Sequence, residues 1–338
     1  MSNPISMQVA IFGEVLIDQF PHQKIIGGAP FNVARTLGYF ACDPLFISRV
    51  GQDASAELVR AEMQRFSLRQ DGLQTDVDYP TGLVKVEQDE GGDKAQHRFT
   101  ILPDQAYDYI DAEQASSTFS SMNNDHVGII YFGTLAQRSE TSRRALYAML
   151  NQTKALKYLD LNLRSMQFSM STIDTSLHSA DVLKLNEDEL LTFYQIYLQT
   201  DSAQQLNING KPADWQEAIQ TLMRLFSLLA VIVTLGARGY AYFDREGLYL
   251  DSSQHDQNTL NTVVVDTVGG GDAFSSIYLL GLVQGWPLDV SLRRAHQFAA
   301  AICGVRGAVA ADLDFYQQWQ ERWATESLKD ELNKGTPV

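Results

Sequence analysis

Short apolar runs rich in β-branched residues alternate along this chain with stretches whose apolar side chains recur at helical spacing, and few folds accommodate that order. Residues 8–17, 45–50, 127–132, 155–161, 182–185 and 229–235 read as buried strands. Helical patterns occupy 29–40, 54–66, 142–150, 187–198 and 215–228. Repeated strand–helix units predict an α/β fold, a doubly wound and mostly parallel central sheet with helices on both faces. A chain of 338 residues can bury roughly three quarters of its unfolded surface in such a layer. Repeats, low-complexity tracts and an interdomain linker are absent from the sequence, so residues 1–338 read as a single domain.

One stretch departs from this rhythm. Residues 81–100 alternate apolar and polar side chains around Asp89, Glu90, Gly91, Gly92 and Asp93, the pattern of a half-buried β-hairpin. It predicts a small sheet projecting from the main layer, either an ordinary edge or a lid over a ligand. A second hairpin is read at 240–250.

Charge and cysteine content narrow the function classes. The formal net charge of −15 argues against non-specific binding to nucleic acid or to an anionic membrane. The two cysteines, Cys42 and Cys303, suit a reducing compartment and offer no zinc pattern. A signal-peptide pattern and an apolar run of membrane-spanning length are both missing, so a cytoplasmic location is the expectation.

Five polar clusters follow strand-like runs. The strongest is DTVGGGD, residues 266–272, between an apolar strand read at 262–265 and a helix opening near Gly271. Gly269, Gly270 and Gly271 let the backbone turn tightly and expose N–H groups, and the helix N-terminus adds partial positive charge. The pair forms an anion nest suited to a phosphoryl group. Asp272 at its rim is either a plain N-cap or a base that accepts a proton from an attacking hydroxyl. Near the start, Asp18 closes the first strand, and Gly27, Gly28 and Asn32 lead into a helix, a set able to hold several hydroxyls. Asp160, Asn162 and Arg164 share one side of an extended segment by period-two spacing. Asn186 and Glu189 fit either a capping box or, through water, a Mg²⁺ site. Thr234, Gly236 and Gly239 form a small-residue loop open to a nucleotide.

Taken in order, these segments resemble the ribokinase-like, PfkB-type carbohydrate kinases over about residues 8–310. GEVLID at 13–18, GGAPFNVA at 27–34, FGTLA at 132–136 and DLNLR at 160–164 are most similar to fructokinases. The resemblance implies ATP-dependent phosphorylation of a primary hydroxyl of a small sugar, fructose first. Other sugars or nucleosides on the same fold are the alternatives, and a catalytically silent sugar-binding protein is the distant one. It assigns Asp272 as base and Gly269, Gly270 and Gly271 as anion hole. Asp18, Gly27, Gly28 and Asn32 would hold the sugar, and Arg164 either the sugar or a phosphate. Asn186 and Glu189 would act on Mg²⁺ through water. Thr234, Gly236, Gly239, Gly271 and His296 would border the nucleotide, and K⁺ could sit beside Asp266. The small sheet, from 81–100 and 18–26, would be a lid and a homodimer contact. Departures from the family pattern are Gly270 in place of the commoner Ala, His296 in place of Asn, and the absence of an Arg before Pro103.

Overall fold

A computed structural model describes residues 7–334 apart from 89–96, 123–126, 165, 200–205, 208–209 and 253–262. The strands are β1 (Gln8–Phe12), β2 (Leu16–Gln19), β3 (Lys24–Gly27), β4 (Leu45–Val50), β5 (Leu73–Thr75), β6 (Gly82–Gln88), β7 (His97–Ile101), β8 (Val127–Phe132), β9 (Leu156–Asp160), β10 (Val182–Asn186), β11 (Ala230–Thr234), β12 (Tyr240–Asp244) and β13 (Tyr249–Asp251). The helices are α1 (Ala29–Tyr39), α2 (Ala54–Arg65), α3 (Ala112–Ser121), α4 (Glu140–Leu150), α5 (Met170–Ser179), α6 (Glu187–Phe193), α7 (Gln216–Phe226), α8 (Gly270–Gln284), α9 (Leu288–Ile302) and α10 (Asp314–Lys334).

Among the described residues, nine strands form one sheet in the order β13-β12-β11-β10-β9-β8-β1-β4-β5. From β11 to β5 the neighbours run parallel, and β12 and β13 add an antiparallel hairpin at one edge. The two faces feed separate cores by simple alternation. Ala10 and Phe12 of β1 join the core that includes Leu146 and Leu177, whereas Val9 and Ile11 join the one that includes Phe31 and Phe298. Strands buried on both faces read as continuous apolar runs, which is why the period-two signal is weak in them.

From β1 the chain builds outward to β4 and β5, then returns to β8 on β1's other side. The order therefore reverses between β1 and β8, and the carboxyl ends of the strands there open a crevice. A second sheet, β3-β2-β6-β7, carries the 81–100 hairpin together with residues 16–19 and 24–27. The 89–93 turn lies outside the described residues.

Three expectations change. The run 8–17 is not one strand. It leaves the large sheet after Phe12, and β2 begins at Leu16 in the small one. Gly13, at φ 152°, makes the break, with Pro30 packed so closely that a Cβ would meet it. Residues 263–265 form no strand, and their valines are 81%, 60% and 60% exposed. Thr262 lies outside the described residues. The helix read at 187–198 is α-helical only to Phe193, then widens into a π turn over Tyr194–Leu198.

Candidate active site

A cleft of about 1200 Å³ opens over the carboxyl ends of β1, β9, β10 and β11 and beneath the small sheet. It brings together Asp18, Gly27, Gly28, Asn32, Arg164, Asn186, Glu189, Thr234, Gly236, Asp266, Gly269, Gly271 and Asp272. Gly239, Gly270 and His296 do not line it. Gly239 has φ 102°, and a Cβ there would collide with Ser252 and approach His296 at 3.9 Å, which gives that glycine a packing reason of its own.

The glycine turn is built as its sequence implies. Gly269 caps α8 in the left-handed region at φ 81°, and α8 begins with Gly270 and Gly271. An added Cβ on Gly269 would lie 2.3 Å from Cα of Ala308, so only glycine fits. Asp266 anchors the approach to this turn. Its two carboxylate oxygens accept the N–H groups of Val268, at 3.0 Å, and Gly307, at 3.1 Å.

Asp272 sits in the first turn of α8 and is 8% exposed. Its side chain does not cap the helix. Instead its Oδ2 accepts a 2.7 Å hydrogen bond from Nδ2 of Asn32 on α1. Burial, seconded by the carboxylate of Asp160, pushes its pKa up, while the Asn32 hydrogen bond, Lys184 and Arg164 pull it down. The resemblance assigns Asn32 to the sugar. In the structure its amide is engaged on both sides, because Oδ1 accepts from Arg35 at 2.5 Å.

The segment after β9 is not the extended ribbon that period-two spacing predicts. Asp160 points into the core. Lys184 donates to both of its oxygens at 2.9 and 3.0 Å, and Ser275 and Tyr131 donate to Oδ2. Asn162 then turns into the left-handed region at φ 41°, and Asn162 and Arg164 reach the cleft while Asp160 does not. Burial opposes the charge on Lys184, but Asp160 outweighs it and raises the ammonium's pKa.

Asn186 and Glu189 form a complete capping box. Asn186 Oδ1 accepts from the Glu189 N–H at 3.0 Å, and Glu189 Oε2 accepts from the Asn186 N–H at 2.8 Å. Glu189 Oε1 takes the Leu163 N–H at 2.7 Å, which ties α6 to the segment after β9. Glu187 and Asp188 also line the cleft. Among the described residues no three His, Cys, Asp or Glu side chains gather closely enough to hold a metal alone. The carboxylates of Glu187 and Asp188 beside the capping box are oxygen donors of the kind that the water shell of an Mg²⁺ ion takes.

Sequence reasoning missed Glu14. It is 5% exposed, lines the cleft, and leaves Oε2 buried without a partner among the described residues. Burial raises its pKa to about 7, and Arg164 only partly offsets this. It is the residue after the Gly13 break, so the change of sheet that hid in one apolar run also hid this carboxyl. Asp18 is pushed up to about 6 by burial, again opposed by Arg164.

A buried carboxylate beside an anion nest, facing a polar recess at a topological switch point, is the arrangement of an α/β phosphotransferase that acts on a hydroxyl. The model of the pfkB family carbohydrate kinases matches residues 2–314, and the chain belongs to that family of sugar kinases. It is 23% identical over 321 residues to the fructokinase of Salmonella typhimurium, covering 90% of this chain and 94% of the relative. The structure of fructokinase with bound ATP from Xylella fastidiosa aligns at a TM-score of 0.76 with 20% identity, covering 94% of this chain and 99% of that one. The 2-dehydro-3-deoxygluconokinase of Thermotoga maritima aligns at 0.71 with 15% identity, covering 92% and 98%. Among the described residues, no helix is long and apolar enough to cross a membrane.

Proposed function

We propose that the chain transfers the terminal phosphoryl group of ATP to a primary hydroxyl of fructose, giving fructose 6-phosphate and ADP. The observation that carries this reading is Asp272. Its carboxylate is buried at the mouth of the glycine turn and shares one cleft with Asp18 and Gly28. Asp18 and Gly28 hold sugar hydroxyls, and Arg164 stands over the same recess. Asp272 takes the proton of the attacking hydroxyl as its oxygen bonds to phosphorus and the bond to ADP breaks. The N–H groups of Gly269 and Gly271, with the α8 dipole, stabilise the charge on the moving phosphoryl, and Gly270, whose N–H donates to the Thr267 carbonyl, shapes the turn. Thr234 and Gly236 border the nucleotide. Asn186 and Glu189 would hold the water shell of Mg²⁺, which supplies charge neutralisation at the phosphates. K⁺ beside Asp266 belongs to the same reading, supported by the two loops that this carboxylate clips together. The small sheet closes as a lid that keeps water from competing as acceptor, and its outer face meets a second copy.

A second reading has one observation behind it. Arg164 lines the same cleft as Glu14, Asp18 and Asp272, and a cation so placed can take the carboxylate of 2-keto-3-deoxygluconate. A panel of fructose, 2-keto-3-deoxygluconate, ribose and adenosine with Mg·ATP decides between them. The proposal expects the highest kcat/KM with fructose and a 6-phosphate product by phosphorus NMR. A preference for the acid sugar would transfer the assignment to the second reading.

A further inference from the structure

Three side chains behind Asp272 form a hydrogen-bonded relay that no part of the phosphoryl-transfer reading requires. Asn32 and Arg35 lie one turn apart on α1. Asn32 Nδ2 donates to Asp272 Oδ2 at 2.7 Å, and Asn32 Oδ1 accepts from Arg35 Nη2 at 2.5 Å. The same Nη2 donates to the carbonyl of Ile26 in β3 at 3.1 Å, and Nη1 donates to Glu62 on α2 at 3.0 Å. Arg35 is 5% exposed and its guanidinium lies 5.0 Å from the centre of the Phe31 ring. Phe66 flanks it at 5.9 Å.

An amide can present either its oxygen or its NH₂ group toward a neighbour, and the two faces act oppositely on a carboxylate. A donor as strong as Arg35 on one side of Asn32 leaves its NH₂ group to face Asp272. With the amide reversed, oxygen would meet oxygen and the carboxylate would lose its stabilising donor. We propose that Arg35 is a positioning residue for Asp272. It holds the Asn32 amide in the donating orientation and ties that orientation to the root of the small sheet through Ile26. The inference rests on Asp272 being the base. It extends the catalytic apparatus to α2 and β3, so a shift of β3 that draws Ile26 away also loosens the group holding the base.

Among the described residues, the charged and titratable groups that act most strongly on the relay are these. Asp160, Lys184, Arg164 and Glu14 act on Asp272, and Glu62, Arg65 and Tyr316 act on Arg35. Arg35→Gln keeps a polar side chain but cannot reach Asn32, Ile26 and Glu62 together. Arg35→Lys keeps the charge and loses the fork. The experiment is the pH dependence of kcat for wild type, both variants and Asp272→Asn, with melting temperatures alongside. The proposal expects kcat of Arg35→Gln to fall at least 10-fold at neutral pH, with the acid limb of its profile moved upward by about one pH unit. Activity should partly return at alkaline pH, sugar KM should change less than threefold, and Arg35→Lys should fall between. Should Arg35→Gln fail to fold, Arg35→Lys carries the same test with a smaller shift. An acid limb unmoved in the folded variants, with only melting temperature lowered, would overturn the relay. If Asp272→Asn keeps its turnover, the base assignment itself fails, whatever the Arg35 variants do.

Discussion

Lys184 holds its ammonium so near Gly271 that a Cβ on this glycine would lie 2.8 Å from Nζ. The cation bound to Asp160 thus stands directly behind the anion turn, and the three glycines face three different neighbours. Gly270→Ala would meet only Cys303 Sγ, at 3.0 Å, a contact that a small shift relieves. Gly271→Ala must push the Lys184 head group aside, which loosens its pair with Asp160. Gly269→Ala is both strained at φ 81° and in collision with the backbone of Ala308. Activity and melting temperature should therefore fall in the order Gly270, Gly271, Gly269. Turnover of Gly270→Ala should stay within a few-fold of wild type, and Gly269→Ala should lose most of its folded population. Equal effects at all three positions would contradict this geometry.

Glu14 should make the ligand-free protein less stable at alkaline pH. Its carboxyl titrates near 7 when folded against a usual value of 4.5. Between those values the folded chain holds a proton that the unfolded chain has released, so stability falls as pH rises through the window. Glu14→Gln removes the penalty. It should gain up to roughly 3 kcal/mol at about pH 8 and nothing below about pH 4.5. Urea titrations at several pH values check this, and a gain independent of pH would contradict it.

Asp18 leans over Gly27, where a Cβ would come within 2.7 Å of its Oδ2, and faces the cleft with Gly28. A charged acceptor lost from a bound hydroxyl costs about 1.5–3 kcal/mol, or roughly 10- to 150-fold in affinity. Asp18→Ala should raise the sugar KM by that factor, leave the ATP KM nearly unchanged and not lower the melting temperature, because burial already disfavours the Asp18 carboxylate. A lowered melting temperature with an unaltered sugar KM would make Asp18 a residue of the small sheet's architecture alone.

The sequence carried the parallel layer because β4, β8, β9, β10 and β11 are short apolar runs with polar residues at their carboxyl ends. It could not carry the change of sheet at Gly13, since β1 and β2 are equally apolar and periodicity does not say which sheet a residue joins. The valines at 263–265 misled for the converse reason. They have strand composition, but no neighbouring strand pairs with them among the described residues. Cleft residues that follow a strand were legible one by one. Their pairings were not, because Asn32 and Asp272 are separated by 240 positions and meet only where α1 packs beside α8. Glu14 and Lys184 were hidden for the same reason: their importance lies in burial and neighbours, which no local pattern records.

The most direct test of the account is the turnover of Asp272→Asn with saturating fructose and Mg·ATP. The substituted amide can still accept the Asn32 hydrogen bond through its own oxygen, so the fold and nucleotide binding should survive. What disappears is the group that takes the proton. The account predicts a loss in kcat on the order of 10²–10⁴-fold or more, with ATP affinity kept. A variant that binds ATP normally and turns over within a few-fold of wild type would contradict it.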